Sequence, residues 1–135
     1  MSAILDTNLL IDRWRPRVPG RSAISVASIA ELQFGVLGSR DAATKTVRLE
    51  NLAGVESEYV PIPVSAEIAR AYGQCAAALT AIGRNPRSRV WDLVIAATAL
   101  THGATLYTLN ADDFLGLESL IEIVVPHHER TSRDE

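Results

Sequence analysis

The fold is decided by the stretch Ala3-Ile4-Leu5-Asp6-Thr7-Asn8-Leu9-Leu10-Ile11 of the 135-residue sequence. Its first three residues are an apolar run, which predicts a short buried strand. Thr7 and Asn8 can cap a helix, and apolar residues follow them, so the strand is expected to turn directly into a helix. Asp6 would then lie at the carboxyl end of that strand.

Outward from this stretch, the sequence alternates predicted strands with predicted helices. Further strands are predicted over residues 59–64, 105–109 and 121–125. Helices are predicted from Ser28 to Gly38, over 41–52 with Gly54 after it, from Ser65 to Gly83, over 90–101, and as a short turn over 111–117. Strands that alternate with helices imply β-α-β crossovers, and therefore a mostly parallel sheet covered by helices on both faces.

The composition favours one soluble globular domain, because 47% of the residues are hydrophobic and 21% are charged. We expect this domain to span residues 1–126 and a polar tail to span 127–135. The single cysteine, Cys75, excludes an internal disulfide. The sequence shows neither a signal peptide nor an apolar run near the roughly 18 residues of a membrane helix, so we expect a cytoplasmic protein with no membrane partner.

A net charge of -3 is not typical of a nucleic-acid-binding protein. The arginines are nevertheless clustered, at positions 13, 15, 17 and 21 and again at 84, 87 and 89, whereas Lys45 is the only lysine. Arginine binds phosphate oxygens bidentately. Two interpretations stay open: the clusters are local phosphate-binding patches, or they are ordinary solvated surface.

Asp92 is the most informative acid, because it is the only charged residue between Val90 and Leu100. A carboxylate in so apolar a helix is costly without a partner. It could be a helix N-terminal acid, the partner of Arg87 or Arg89, or a metal ligand.

The other candidate acids each have a structural interpretation of their own. Asp6 could be a helix cap, Glu31 could form a capping box with Ser28, and Asp112 and Asp113 could be first-turn helix acids. Together, however, these acids fall at strand ends and helix starts, which a parallel α/β sheet gathers at one edge. Clustered carboxylates need a cation, and oxygen ligands favour Mg²⁺ or Mn²⁺ over zinc. Such a site can activate water against a phosphodiester.

Other chemistries find little support. The sequence has no glycine-rich nucleotide-binding motif and no Gly-x-Ser-x-Gly motif. A phosphoacceptor receiver domain would carry a lysine after a late strand, but the only lysine is Lys45. A haloacid-dehalogenase-like phosphatase would carry a second aspartate at the position of Asn8.

Four segments in order resemble a PIN domain, and the resemblance runs from Leu5 to about Val125. They are Leu5-Asp6-Thr7-Asn8-Leu9-Leu10-Ile11, Ser25-Val26-Ala27-Ser28-Ile29-Ala30-Glu31-Leu32, Asp92-Leu93-Val94-Ile95-Ala96-Ala97-Thr98-Ala99 and Thr108-Leu109-Asn110-Ala111-Asp112-Asp113-Phe114. The resemblance implies a three-layer α/β/α fold whose mainly parallel sheet has about five strands.

The resemblance also implies roles for individual residues. The implied catalytic and metal-binding acids are Asp6, Glu31, Asp92 and Asp113, and the implied supporting residues are Thr7, Asn8, Thr108, Asn110 and Asp112. They would bind one or two Mg²⁺ or Mn²⁺ ions. Asn110 stands where many relatives carry an acid, so a second ion would have one charged ligand fewer.

Among PIN proteins, a short single domain resembles VapC toxins. This implies an endoribonuclease that cleaves structured RNA, such as tRNA or ribosomal RNA, by Mg²⁺-assisted attack of water. It also implies inhibition by a VapB-type antitoxin and assembly as a homodimer. Because they directly precede the Asp92 helix, Arg84, Arg87 and Arg89 are expected to contact the RNA backbone. The alternative is a PIN-like module that binds RNA or protein with little catalysis.

Overall fold

The computed structural model describes residues 2–11 and 18–126. The strands within them are β1 (Ser2–Leu5), β2 (Arg21–Ala23), β3 (Thr105–Tyr107) and β4 (Ile123–Val124). The α-helices are α1 (Val26–Leu37), α2 (Ala42–Glu58), α3 (Ala66–Ala81) and α4 (Val90–His102), and short 3₁₀ helices span Thr7–Leu9, Pro86–Arg89 and Ala111–Phe114. The predicted tail 127–135 and the arginines at 13, 15 and 17 lie outside the described residues.

The four strands form one sheet in the order β2-β1-β3-β4, and every neighbouring pair is parallel. In the register of this sheet, Ala3 lies opposite Ser22 on one side and Thr105 on the other. Because β1 and β3 are neighbours and parallel, the residues that follow them emerge at the same edge. This places Asp6 beside Thr108.

Each face of the sheet has its own hydrophobic core, since successive strand residues point to opposite faces. Ile4 and Leu106 pack with residues of α3 and α4 such as Leu79 and Leu93. Leu5, by contrast, packs with residues that include Leu9, Leu10, Ile24 and Val55, the last of them from α2. The predicted three-layer α/β/α fold with a mainly parallel sheet is confirmed, with four strands in the described part of the chain.

The strand predicted over 59–64 is absent, and this segment contributes a single bridge. Ile62 pairs with Ser25, donating its N–H to Ile24 and accepting from Val26. Pro61 and Pro63 flank it, and prolines are rare within strands except at edges and ends, which fits a segment that pairs at one residue only.

Other boundaries differ for reasons of packing. Helix α2 continues through Gly54 to Glu58, because Val55 is fully buried and a glycine within a helix costs only about 1 kcal/mol. The helix predicted around Leu9 is a single 3₁₀ turn, and the predicted last strand is reduced to Ile123–Val124. Strand β2 was not predicted. Within residues 2–11 and 18–126, no helix has both the length and the apolar character needed to cross a membrane.

Candidate active site

Asp6 occupies the carboxyl end of β1 and caps the 3₁₀ helix Thr7–Leu9. Its side chain is almost fully buried, and the residue is only 4% exposed. Oδ1 accepts the backbone N–H of Thr7 at 2.7 Å, and Oδ2 accepts the hydroxyl of Thr108 at 2.8 Å. The predicted cap is therefore correct, and the same contacts hold the carboxylate in one orientation.

Thr108 joins the ends of β1 and β3. Besides donating to Asp6, its hydroxyl oxygen accepts from the amide of Asn8 at 3.2 Å and from the backbone N–H of Asn110 at 3.0 Å. Asn8 in turn accepts the backbone N–H of Leu109 at 3.2 Å. These polar groups hold the two strand ends together directly beneath the buried carboxylate.

Glu31 is held by a chain of hydroxyls that runs from α1 to the end of β1. The hydroxyl of Thr7 donates to Glu31 Oε1 at 2.7 Å and lies 2.9 Å from that of Ser28. The capping-box interpretation is wrong, because α1 begins earlier than expected: Ser25 caps it by accepting the N–H of Ala27. Ser28 therefore lies within the helix and faces Thr7.

Asp92 and Asp113 both contact the guanidinium of Arg89. Its guanidinium Nη1 lies 3.1 Å from Asp113 Oδ1 and 3.7 Å from Asp92 Oδ2. Asp92 also stands in the first turn of α4. Both structural interpretations of Asp92, the helix N-terminal acid and the partner of Arg89, are thus present in the fold. Asp112, by contrast, is exposed, and its backbone carbonyl is the part that Arg84 contacts.

The three arginines of the predicted RNA-binding loop have different surroundings. Arg84 donates to the backbone carbonyl of Leu115 at 2.7 Å and so ties the 3₁₀ helix Ala111–Phe114 to the end of α3. Arg89 faces the acids. The side chain of Arg87 is exposed and, among the described residues, has no ion pair. Of the three, Arg87 is the one presented to solvent.

The acids influence one another electrostatically. Burial raises the pKa of Asp6 to about 6, against the hydrogen bonds from Thr108 and Thr7, and the charges of Glu31 and Asp113 add to the rise. Burial likewise raises the pKa of Asp92 to about 6, with further contributions from Asp6 and Asp113 that Arg89 partly offsets. The pKa of Glu31 is raised by burial and then by Asp92. The four acids predicted from the sequence therefore form one coupled group.

The donor chemistry of this group fits a hard divalent cation. All four side chains offer carboxylate oxygens, which Mg²⁺ and Mn²⁺ prefer. Among the described residues, no three acidic, histidine or cysteine side chains already converge closely enough to surround an ion. Binding would therefore require the carboxylates to draw together, and Arg89 stands between two of them.

We expect Thr7→Val to lower the free energy of unfolding by about 1–3 kcal/mol, because Ser28 and Glu31 would lose their shared hydrogen-bond partner in a part-buried site. Urea denaturation measures this. Thr7→Ser keeps the hydroxyl and should stay much closer to the wild type. A Thr7→Val variant as stable as the wild type would contradict the role of the hydroxyl chain.

Comparison with known proteins identifies the family. A family model described as the PIN domain matches residues 3–117. Ribonuclease VapC5 of Mycobacterium tuberculosis (strain ATCC 25618 / H37Rv) is 33% identical over 132 residues, which cover 92% of this chain and 93% of that protein. Ribonuclease VapC8 of M. tuberculosis (strain CDC 1551 / Oshkosh) is 35% identical over 100 residues, covering 71% of this chain and 88% of the relative.

Solved structures show the same relationship. The crystal structure of VapBC-5 from M. tuberculosis, a member of the VapBC family of toxin-antitoxin systems, matches with a TM-score of 0.79 and 28% identity over 94% of this chain and 98% of its own. VapBC2 from Rickettsia felis, bound to a DNA fragment from the promoter, matches with a TM-score of 0.68 and 25% identity, over 94% of this chain and 100% of its own. The matched region contains all four acids. The chain therefore belongs to the PIN-domain family, among its VapC-type members.

Proposed function

We propose that this chain is an Mg²⁺- or Mn²⁺-dependent endoribonuclease, the toxin of a toxin-antitoxin pair. The observation that carries the proposal is the coupled group of Asp6, Glu31, Asp92 and Asp113 at one edge of the sheet, in a chain whose relatives are named ribonucleases. The pKa values of Asp6, Glu31 and Asp92 are raised by burial first and by neighbouring carboxylates second, and such carboxylates favour the binding of a cation. A divalent cation at such a site can activate water and stabilise the leaving oxygen of a phosphodiester.

The roles of the residues follow from their contacts. When bound, the metal ion would polarise the phosphodiester and favour ionisation of the attacking water. Asp6, Glu31, Asp92 and Asp113 would hold the metal. Asp6 keeps its orientation through Thr7 and Thr108, and Glu31 keeps its own through the Thr7 hydroxyl. This prior positioning lowers the cost of arranging the acids around an ion.

We infer that the RNA backbone meets the arginine loop chiefly at Arg87. Arg84 is committed to the carbonyl of Leu115 and Arg89 to the acids, whereas the guanidinium of Arg87 is exposed on the 3₁₀ helix directly before α4. A phosphate there would lie near the acids. Structured RNA such as tRNA or ribosomal RNA is the proposed substrate, because the sequence resembles VapC toxins, which act on such RNA.

The proposed partner is a VapB-type antitoxin. Support comes from the solved structures, several of which are toxin-antitoxin complexes of the VapBC family. Assembly as a homodimer and a cytoplasmic location stay predictions.

The test is RNA cleavage by the purified chain with Mg²⁺, Mn²⁺ or EDTA, together with growth on induced expression. We expect cleavage with either metal, none in EDTA, recovery when metal is restored, and growth arrest in cells. Sequencing the new RNA ends would identify the substrate. Undiminished cleavage in EDTA would contradict metal dependence, and tight metal-independent RNA binding without turnover would favour the alternative, a non-catalytic binding module.

A further inference from the structure

Arg89 is the cation that the described structure places against the acids. It contacts Asp113 at 3.1 Å and Asp92 at 3.7 Å through the same nitrogen, Nη1, so one end of the guanidinium bridges two carboxylates. The side chain is 32% exposed, which makes this a partly shielded contact rather than a fully solvated surface pair. Partly buried ion pairs are screened less by salt and water than exposed ones.

The backbone that carries Arg89 is fixed by local hydrogen bonds. Pro86 begins the 3₁₀ helix, and Asn85 caps it by accepting the N–H of Arg87 at 3.0 Å. The hydroxyl of Ser88 donates back to the carbonyl of Asn85 at 2.9 Å. Arg89 is the last residue of this turn and directly precedes α4, so its side chain starts from a set position three residues from Asp92.

A divalent ion at these acids would meet Arg89 as a competitor. Mg²⁺ and Mn²⁺ bind carboxylate oxygens closely, at about 2.1 Å for Mg²⁺. A second cation sharing those oxygens at 3 to 4 Å, as Arg89 does, is strongly repelled in a partly buried site. Arg89 contacts one oxygen of each carboxylate, and the guanidinium and the ion therefore compete electrostatically for the charge of Asp113 and Asp92.

We propose that Arg89 is an internal counter-ion that competes with the divalent metal ion for Asp113 and Asp92, so that its guanidinium lowers their affinity for the ion as long as it stays against them. This inference rests on the metal site of the proposed function. It adds that a side chain of the protein itself raises the metal concentration needed to fill the site. The arginine holds the acids together without the ion and weakens the affinity for it.

The test is the Mn²⁺ affinity of the whole chain, measured by calorimetry and by electron paramagnetic resonance of free Mn²⁺. We expect Arg89→Gln to bind Mn²⁺ at least about tenfold more tightly than the wild type, because a nearby positive charge is removed. Arg21→Gln is the matched control: it removes the same charge from an exposed side chain at the amino end of β2, the opposite end of the sheet from the acids, and should stay within about threefold.

Two outcomes separate this inference from the proposed function. Unchanged or weaker Mn²⁺ binding by Arg89→Gln, with Asp92→Asn binding at least about tenfold more weakly than the wild type, would overturn the role of Arg89 while leaving the metal site standing. Unchanged Mn²⁺ binding by Asp92→Asn would overturn the metal site, and this inference with it.

Thermal unfolding gives a second readout that needs no activity. In EDTA, Arg89→Gln should unfold at a lower temperature than the wild type, because Asp92 and Asp113 lose their counter-ion. Saturating Mn²⁺ should then raise its unfolding temperature by more than it raises that of the wild type. A smaller rise in the variant would overturn the competition.

Discussion

Asp92→Asn is expected to lower RNA cleavage by at least about 100-fold and, in the same protein, to raise the temperature of unfolding. The loss of cleavage follows from chemistry, since an amide has the shape of the carboxylate but offers a metal ion no charge. The gain in stability follows from electrostatics. Burial, together with Asp6 and Asp113, raises the pKa of Asp92 to about 6. At neutral pH the side chain is mostly ionised, and its charge destabilises the folded state relative to the unfolded state.

The size of the gain can be bounded from the pKa. A rise from 3.8 to about 6 corresponds to at most about 3 kcal/mol at one site, at about 1.4 kcal/mol per pKa unit. This shift already includes the contact with Arg89, but the partly buried amide of the variant also costs free energy, so we expect a net gain on the order of 1 kcal/mol. In a domain of this size, that raises the unfolding temperature by about 3–5 °C. Calorimetry in EDTA at neutral pH measures it.

Glu67→Gln is the matched control for Asp92→Asn. Glu67 is also a first-turn acid, on α3, but it is exposed and lies away from the coupled acids. Removing its charge should leave cleavage at the wild-type level and lower stability slightly, by about 0.3–1 kcal/mol through the lost interaction with the helix dipole. If Asp92→Asn instead unfolded at a lower temperature than the wild type, its loss of cleavage could be ascribed to misfolding, and mutual repulsion among the acids would be the wrong account.

The second large effect is a dependence of stability on pH that a divalent metal ion should cancel. Asp6 and Asp92 have pKa values of about 6 in the folded chain, above their ordinary value of 3.8. The folded state therefore binds protons more tightly than the unfolded state. Their contribution to stability is fully present below about pH 4 and is lost as the pH rises to about 6 and beyond.

The two groups interact, so their joint contribution is smaller than twice that of one, and we expect a loss on the order of 3 kcal/mol between about pH 4 and pH 7 in EDTA. Urea unfolding across this range measures it, and the difference between the wild type and Asp92→Asn separates the site from other carboxylates. Mn²⁺ should stabilise the wild type strongly near pH 7.5 and hardly at all near pH 4, where protons occupy the acids. A difference between the two proteins that does not change with pH would contradict the raised pKa values.

The sequence predicted the parts of the fold that depend on short-range patterns. The apolar run before Asp6 predicted β1, and the apolar spacing from Ser65 to Gly83 predicted α3 within a residue or two of its observed bounds. Periodicity could not show that residues 59–64 make only one bridge, since the residues of this segment alternate in the same pattern as those of a β-strand. The missing N–H groups of Pro61 and Pro63 were the available signal.

At the site, the acids could be identified from the sequence, but their contacts could not. Glu31 had a plausible local partner in Ser28, and only the tertiary structure shows that both side chains face Thr7. The capping-box interpretation took Ser28 as the N-cap of α1, whereas the N-cap is Ser25. Residue type could not decide between them, because both are serines. Arg89 was a possible partner of Asp92 from spacing, but its contact with Asp113 joins residues 24 apart and has no local signal.

The outer strands of the sheet bear on how copies of this chain can associate. Strand β2 has three residues and β4 has two, and segment 59–64 adds only the bridge of Ile62 to Ser25, with a proline on each side of Ile62. Edges this short offer an approaching strand few free backbone groups, which protects against open-ended, aggregating contacts. A homodimer, if the chain forms one, would then use the helical surfaces, where side chains rather than backbone groups decide which partner is accepted.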